Sequence, residues 1–405
     1  MTYRWLLVAL LWVVALLNYI DRQVIFSVFP LLSRDLSLSN VQLGLLSTVF
    51  LWVYGFLSPI SGYIADRFGR ARLLAVSLLV WSAVTLATGY CQTFQQLLLA
   101  RALMGISEAC YLPAAVAKIA EYHTGKTRSL AMGFHQSGLY AGMVLGGAVG
   151  GWSGERFGWR AMFLVLGAIG VVYSVVLVAF FRRDRESGAR QMKTDFFGSV
   201  RRLFELNGFV KMTTAFSAVS IANWLVYTWL PLYLYERFGM SLAEAGFTAT
   251  FYIQSASFLG TIGGGWMADR LSGRFAGGRL YTQVGGVLLA SPFLFVLGYA
   301  DSRMLLVLTL VLFGIGRGFY ECNTMPVLCQ VAPDELRSTG FGIFNFAGCF
   351  SGGVVAALAG ALKNVLGLAG AFQAAAVILC CSGLLLMSVR LTAAQPSSTF
   401  DPHAA

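Results

Sequence analysis

The segment GYIADRFGR, residues 62–70, returns as GWMADRLSGR at residues 265–274 of the 405-residue chain. Both copies end a long apolar run with glycine, aspartate and arginine. Other segments repeat in the same order: Glu108 and Pro113 share the spacing E-x4-P with Glu321 and Pro326, and RSLAMGF from Arg128 is matched by RSTGFGI from Arg337. The pattern predicts a chain built from two related halves.

The composition places these halves in a membrane. Hydrophobic residues make up 57% of the chain and charged residues 12%, and the mean hydropathy is +0.71. A soluble protein would carry about a quarter charged residues. The apolar residues lie in runs of about 20 or more, each long enough to cross a bilayer as a helix. We therefore predict an all-α, polytopic membrane protein.

The apolar runs predict twelve transmembrane helices in two pseudo-symmetric bundles of six. Their expected ranges are 5–31, 41–65, 72–92, 94–120, 127–153, 159–181, 208–236, 243–268, 279–299, 302–330, 338–362 and 366–390. The domains are then an N-terminal bundle (1–181), a cytoplasmic linker (182–207), a C-terminal bundle (208–391) and a disordered tail (392–405). The linker is expected to contain a short interfacial helix around FFGSVRRLFEL.

The basic residues set the orientation. With the N-terminus inside, 18 of the 29 lysines and arginines fall on the inner side and six on the other. By the positive-inside rule, both termini are cytoplasmic in a plasma membrane or a bacterial inner membrane. The net charge of +11 is thus explained by topology and does not indicate nucleic-acid binding. The start MTYRWLLVALLWVVALL could pass for a signal peptide, but no small-residue cleavage site follows, so we interpret it as a retained first helix.

No catalytic constellation or phosphate-binding loop is present, so neither an enzyme nor an ATP-driven pump is expected. All seven cysteines lie in or beside apolar segments without metal-ligand spacing, which predicts no metal and no cofactor. Two six-span halves in parallel repeat are typical of secondary transporters, whose substrate site lies at the midplane. The predicted energy source is a proton gradient.

The motifs carry a resemblance to a known family. GYIADRFGRARLL resembles the loop after the second span of the major facilitator superfamily, and the likeness covers essentially the whole chain. LNYIDRQVI and RALMGISEACYLPAA resemble two of its groups: the sialin-type anion:cation symporters, which include sugar-acid carriers, and the spinster-type lysolipid carriers. The resemblance implies the major facilitator fold, and that matching positions of the first and fourth spans bind substrate and couple protons.

The ionisable residues inside the spans are the candidate site. In RALMGISEACYLP, Arg101 and Glu108 stand seven residues apart, two helical turns along one face. Each charge near a bilayer centre costs about 2.5 to 3.5 kcal/mol on insertion scales, so such groups face protein or a water-filled cavity. Arginine forks suit carboxylate or phosphate. The predicted substrate-binding residues are Arg22, Arg101, Tyr54, Arg317, Glu321 and Asn323.

Proton coupling is assigned to Glu108 first and Asp21 second. Burial and the neighbouring Arg101 have opposite effects on the proton affinity of Glu108, and protonation would free the arginine for substrate. A permanent Arg101–Glu108 salt bridge is the structural alternative. Arg317 and Glu321, four residues apart, can pair directly, either as a structural pair or as a pair lining the cavity.

The repeated loop motif lies at the cytoplasmic surface, away from any substrate. The resemblance implies a conformational latch that stabilises the outward-open state, formed by Asp66, Arg67, Gly69, Arg70, Asp269 and Arg270. A purely topogenic role of its arginines is the alternative. The predicted function is alternating-access transport of an organic anion, either a sugar acid or a lysolipid, by a monomer whose other partners are protons and membrane lipids. The competing class is a non-transporting membrane sensor on the same scaffold.

Overall fold

The computed structural model describes residues 3–123, 127–182, 196–275 and 277–389, with residues 62–68 described as helix but not in their side chains. Within these residues the chain is helical and has no β-strand, which confirms the predicted all-α class. The predicted tail and residues 183–195 of the predicted linker lie outside the described residues.

Eight helices form the N-terminal half. They are α1 (Tyr3–Ser27), α2 (Phe29–Leu36), α3 (Asn40–Phe68), α4 (Arg70–Thr88), α5 (Phe94–Ala109), α6 (Tyr111–Tyr122), α7 (Arg128–Phe157) and α8 (Trp159–Phe181).

The second half repeats the arrangement after a short helix, α9 (Phe196–Glu205), which confirms the helix expected in the linker. It contains α10 (Phe209–Phe238), α11 (Leu242–Ser272), α12 (Gly278–Leu297), α13 (Arg303–Val331) and α14 (Arg337–Met387).

The packing follows the sequence repeat. In the first half α1 packs on α7, α3 on α5, and α4 on α8. In the second half α10 and α12 pack on α14, and α11 packs on α13. The halves meet along two seams, α3 with α14 and α7 with α11. Helices at equivalent positions in the two halves thus make equivalent contacts.

Nine helical segments of the described residues are long and apolar enough to cross a membrane by length and composition. This is fewer than the twelve expected, for two reasons that can be located. The segment ending at Met387 is counted once although Gly367 is non-helical, with φ of 66°. The glycine-rich α7 and the helix α11 are not among the nine.

Two predicted spans are interrupted. The first is divided at Val28, where α2 begins with Pro30 in its first turn. The fourth is divided at Cys110 into α5 and α6. Pro113 explains the second break, because it has no N–H to donate to the carbonyl of Ala109 and its ring crowds that carbonyl. The break follows directly after Glu108 and ends the helix that carries it.

The two ends of the bundle differ. We call the end where His123 Nε2 contacts the Arg4 carbonyl, 3.1 Å, and Lys211 Nζ donates to the Ser388 carbonyl, 2.9 Å, the terminal end. The other is the opposite end. There α3, α5, α11 and α13 are each preceded by a capping residue whose side chain accepts a hydrogen bond from a first-turn N–H. The caps are Ser39, Thr93, Ser241 and Ser302. Such caps satisfy donors that a helix start leaves free.

At the opposite end the two halves touch main chain to main chain. A Cβ added at Gly147 of α7 would meet the backbone of Gly246 of α11, and one at Gly151 would meet the backbone of Leu242. Glu155 Oε1 also accepts the N–H of Leu242 at 2.5 Å. Glycine permits this close approach because it has no side chain. The α7–α11 seam is therefore closed at this end.

Toward the terminal end, glycines of the same two helices have open space beside them. A Cβ added at Gly133 of α7 or at Gly265 of α11 would contact nothing within 4 Å. The ring contact between Tyr140 and Phe258, 6.2 Å between centroids, lies between these glycines and the closed end. The close main-chain contacts between α7 and α11 thus involve the glycines nearer the opposite end.

Candidate functional site

Four ionisable side chains meet inside the N-terminal half. Asp21 and Arg22 come from α1, and Arg101 and Glu108 from α5. All four are buried, with Glu108 0% and Arg101 2% exposed. Charges this deep need specific partners, because an unpaired buried ion is very costly. The structure therefore brings together the predicted residues of the first and fourth spans.

Glu108 pairs with Arg22, and the expected partner Arg101 is not the one in contact. Arg22 donates its Nε–H to Glu108 Oε2 at 2.5 Å. Arg101 instead donates to the Leu46 carbonyl at 3.3 Å. Seven residues of helix rise by about 10 Å, more than Arg101 closes along its own helix. The arginine that protonation of Glu108 would release is therefore Arg22, which corrects the prediction.

Aromatic rings surround both guanidinium groups. The Cζ atom of Arg22 lies 4.6 Å from the ring centre of Tyr54, 5.0 Å from Tyr19 and 5.1 Å from Phe50. Arg101 Cζ lies 4.5 Å from the centre of the same Phe50 ring. Arginines within about 6 Å of a ring gain a cation–π attraction. Tyr54, which was predicted to bind substrate, thus contacts Arg22 together with Tyr19 and Phe50.

Close packing of α5 on α3 sets this geometry. A Cβ added at Gly105 would lie 2.9 Å from the Phe50 carbonyl and 3.2 Å from Val53 Cβ. Gly105 is positioned between Arg101 and Glu108 on α5, so both are carried toward α3. The capping box of Thr93 and Gln96 fixes where α5 begins.

Asp21 takes a different direction from Arg22. It is 3% exposed and lies beside Thr85 of α4. Adjacent helix residues point about 100° apart, which explains why the two do not share a partner.

One terminal nitrogen of Arg101, Nη2, has no hydrogen-bond partner among the described residues. Buried polar atoms almost always have one, so this nitrogen has capacity for a further acceptor.

The C-terminal half has its own arginine–glutamate pair. Arg317 donates its Nε–H to Glu321 Oε1 at 2.7 Å and its Nη1–H to Gln254 Oε1 at 3.3 Å. Its Cζ lies 5.2 Å from the ring centre of Tyr227. The Arg317 side chain is 7% exposed and that of Glu321 is 31% exposed. The direct pairing predicted from the four-residue spacing is present.

The two pairs are related by the repeat but built differently. Glu108 and Glu321 each stand five residues before a proline. On α10, Asn223, Trp224 and Tyr227 have the spacing that Asn18, Tyr19 and Arg22 have on α1. A tyrosine thus stands in the second half where the first half has its arginine, and the second arginine comes from α13.

The hydrogen bonds of the Asn323 side chain stay within its own helix and do not reach the Arg317–Glu321 pair. Its Nδ2 donates to the Phe319 carbonyl at 2.9 Å and approaches Cys322 Sγ at 3.2 Å, both on its own helix. Asn223 lies nearer, since it lines with Arg317 and Tyr320 a cavity of about 10 Å³, the room that one water needs. Among the asparagines, Asn223 adjoins the second arginine.

The predicted latch residues lie at the terminal end. Gly69 joins α3 to α4 with φ of 85°, a conformation that glycine adopts freely. Arg70 pairs with Glu121 of α6, which Lys118 also contacts at 3.1 Å. Asp269 pairs with Arg279 at 3.3 Å. The other three residues of the set are Arg270, whose Cζ lies 5.4 Å from the Trp266 ring centre, and Asp66 and Arg67, whose side chains fall outside the described residues.

Sequence reasoning missed Tyr19 and Phe50 as site residues. Tyr19 stands three residues before Arg22, and Phe50 four before Tyr54, so each shares a helix face with a predicted residue. That spacing could have identified Tyr19. Phe50 has no polar atom to mark it, and only the packing of α3 against α5 places it between two arginines.

The sequence model of the Major Facilitator Superfamily matches residues 11–357. The probable galactarate/D-glucarate transporter GudP of Bacillus subtilis is 27% identical over 398 residues, which cover 90% of this chain and 86% of that protein. Protein spinster homolog 1 of Xenopus tropicalis is 31% identical over 238 residues, which cover 56% of this chain and 45% of that protein.

Among solved structures, a bacterial homolog of the human lysosomal transporter Spinster, crystallised inward-facing and occupied, is similar in fold. Its TM-score is 0.81 with 21% sequence identity, over 96% of this chain and 97% of that one. This likeness concerns the fold.

Proposed function

The chain belongs to the Major Facilitator Superfamily, and on that premise we propose that it moves an organic anion across the membrane by proton-coupled alternating access. The sugar-acid relatives that match nearly its whole length are named as transporters, so it is a transport protein and not an enzyme. The observation that carries the proposal is the buried Arg22–Glu108 pair within a shell of aromatic rings.

The pair gives a mechanism for coupling. With Glu108 ionised, Arg22 is neutralised and offers little to an anion. When Glu108 takes up a proton, the attraction is lost and the guanidinium can hold a substrate carboxylate, with Arg101 adding positive potential nearby. Release of the substrate lets the carboxyl lose its proton and pair again. Asp21, close to both α4 and Arg101, is the second proton-coupling group.

The closed α7–α11 seam supports alternating access. The contacts at Gly147, Gly151 and Glu155 join the halves at the opposite end only. Exchange between this arrangement and its reverse would expose the site to each side in turn. In this scheme Asp66, Arg67, Gly69, Arg70, Asp269 and Arg270 stabilise the outward-open state from the terminal end.

The topology that goes with this function has twelve spans. Division of α14 at Gly367, together with α7, α11 and the nine apolar segments, gives that number. Both termini then lie on the cytoplasmic side of a bacterial inner membrane, as the basic residues require. The transporter works as a monomer in contact with membrane lipids, without a cofactor.

A sugar acid is the favoured substrate class, because the GudP relative matches nearly the whole chain and is named for such substrates. A lysolipid is the second candidate, because the first and fourth spans resemble those of spinster-type lysolipid carriers and a spinster homolog is a sequence relative. A sugar acid needs a closed polar cavity, whereas a lysolipid needs an apolar portion that opens toward lipid. A non-transporting sensor would bind the ligand without moving it.

Uptake into proteoliposomes tests the proposal. Labelled hexuronate and labelled lysophospholipid should be compared with and without an inward pH gradient. We expect hexuronate to accumulate only with the gradient, and lysophospholipid uptake in its place would select the second candidate. Binding without uptake of either would favour the sensor.

Glu108→Gln tests the coupling. The variant should still exchange substrate across the membrane but lose accumulation driven by the pH gradient. Glu205→Gln, in an exposed pair on α9, is the matched control. Proton-driven accumulation by Glu108→Gln at the rate of the control would contradict the mechanism.

A further inference from the structure

A cavity opens at the terminal end of the C-terminal half, where two apolar helices stop. Its volume is about 450 Å³, and among the described residues it is lined by Asn207, Lys211, Met387 and Ser388. Lys211 lies in the first turn of α10, and Met387 is the last residue of α14. Because both helices are long and apolar enough to cross a membrane, their ends place the cavity at the membrane surface.

Lys211 brings a positive charge to this cavity. Its Nζ donates a hydrogen bond to the Ser388 carbonyl at 2.9 Å, and it forms no ion pair with a carboxylate of the described residues. Arg202 of the adjacent α9, by contrast, pairs with Glu335 at 2.8 Å. An ammonium group has three N–H donors, so two remain for a ligand. The cavity therefore suits a ligand group with a negative charge.

A row of apolar side chains on α14, which we call the α14 stripe, leads to the cavity. Val377, Leu384 and Met387 form it, and each is more than half exposed. Their spacings of seven and three residues place them on one face of the helix. Exposed apolar residues of a membrane-spanning helix contact the acyl chains of lipids. A lipid molecule that lies along this stripe would bring its head group to the cavity.

The short helix α9 ends two residues before the cavity residue Asn207. Its Leu203 is fully buried, and the ring centres of Phe204 and Phe209 lie 5.7 Å apart, so α9 is held against the start of α10. Phe197 and Phe204 are at least half exposed and, being seven residues apart, share one face of α9. Helices with exposed aromatic residues and arginines are typical of the head-group region of a bilayer.

We propose that this cavity binds the head group of an acidic phospholipid, with the phosphate at Lys211 and the acyl chains along the α14 stripe and the phenylalanines of α9. The stripe meets the cavity at Met387, so one molecule with a charged head and apolar chains fits both. A zwitterionic lipid fits less well, because its cationic group would come close to the lysine. The terminal end is assigned to the cytoplasmic leaflet, which carries acidic lipids. The site depends neither on the proposed substrate nor on proton coupling.

Titration of phosphatidylglycerol into the delipidated full-length protein in a neutral detergent tests the site. A ligand that binds only the folded protein raises the melting temperature as its concentration increases, so the titration yields an apparent affinity. We expect tighter binding of phosphatidylglycerol than of phosphatidylcholine with the same acyl chains. Lys211→Gln should weaken phosphatidylglycerol binding by about tenfold, as expected for one lost charged contact, and leave phosphatidylcholine binding unchanged.

Two control variants and one soluble probe separate this site from general charge attraction. Arg274→Gln removes an exposed positive charge from the same end and should bind phosphatidylglycerol as the wild type does. Lys211→Arg keeps the charge and should retain most of the affinity. Glycerol 3-phosphate, which has no acyl chains, should leave the melting temperature nearly unchanged. Equal affinities of the wild type for the two lipids, equal weakening by Lys211→Gln and Arg274→Gln, or the full shift with glycerol 3-phosphate alone would overturn the acidic-lipid site.

Discussion

The two arginine–glutamate pairs differ in how the chain brings their members together. Arg22 and Glu108 lie 86 residues apart on two helices, and their pair exists only while α1 and α5 keep their packing. Arg317 and Glu321 lie four residues apart on one helix, and any arrangement of the bundle leaves them within reach. The first pair therefore depends on how α1 lies against α5, whereas the second depends only on the conformation of α13.

This difference has a mechanistic meaning. A proton on Glu108 weakens a contact between helices, so it can alter the relative energies of the conformations of the N-terminal half. The Arg317–Glu321 pair lies within one helix, so it joins no helix to another. Of the two pairs, the first is therefore the one that can link protonation to movement.

Replacement of the two arginines should show the largest difference between the pairs, measured as loss of stability. Arg22→Gln leaves Glu108 buried without its cation, and breaking a buried pair costs about 3–5 kcal/mol. Arg317→Gln leaves a partly exposed carboxylate, so its cost should be smaller. Unfolding of both variants in detergent micelles checks this order. Equal losses of stability would mean that burial does not distinguish the pairs.

The glycines beside the two pairs offer a second comparison. A Cβ added at Gly318 of α13 would lie 2.7 Å from Thr261 N and 2.8 Å from Gly260 C, whereas at Gly105 of α5 the nearest atom is 2.9 Å away. Overpacking costs about 1–3 kcal/mol. Gly318→Ala should therefore lower the free energy of unfolding more than Gly105→Ala, measured in the same micelles. The reverse order would show that α13 can shift where α5 cannot.

The starts of the equivalent helices α3 and α11 give the smallest expected effect. α3 is capped within its own half by Ser39 and Gln42, whereas α11 also receives Glu155 from the other half. A charge at a helix start contributes about 0.3–1 kcal/mol. In a protein that carries Ser27→Cys, at a buried position beside Gly246, Glu155→Gln should speed maleimide labelling by up to about fivefold.

Ser39→Ala is the matched control for that experiment, made in a background without native cysteines. It removes a cap of similar strength that joins no two halves, so it should lower stability without changing the labelling rate. Equal acceleration by both variants would mean that the Glu155 contact does not hold the seam closed.

Much of the architecture could be predicted from sequence because it depends on local patterns. Long apolar runs gave the helices, and the repeated GYIADRFGR segment gave the two halves. The breaks at Val28 and Cys110 could not be predicted from the length of an apolar run, since a run remains apolar when proline divides it. The Arg317–Glu321 pair was predicted for the same local reason, since it needs only one turn of helix.

The partner of Glu108 could not be predicted, because it depends on how α1 lies against α5. Spacing along α5 favoured Arg101, the nearest cation in sequence, whereas three-dimensional packing brought Arg22. Phe50 escaped prediction for the same reason. Its importance comes from two arginines on different helices that approach one ring.

The bare contact between α7 and α11 limits how this protein can change. Every amino-acid replacement that a glycine codon can reach adds at least one carbon to the residue. At Gly147, Gly151 and Gly246 that carbon would press on the main chain of the other half. Replacement of any of these three glycines thus separates α7 from α11 at that end, so the balance between the two forms of the protein is sensitive to single missense changes at uncharged positions.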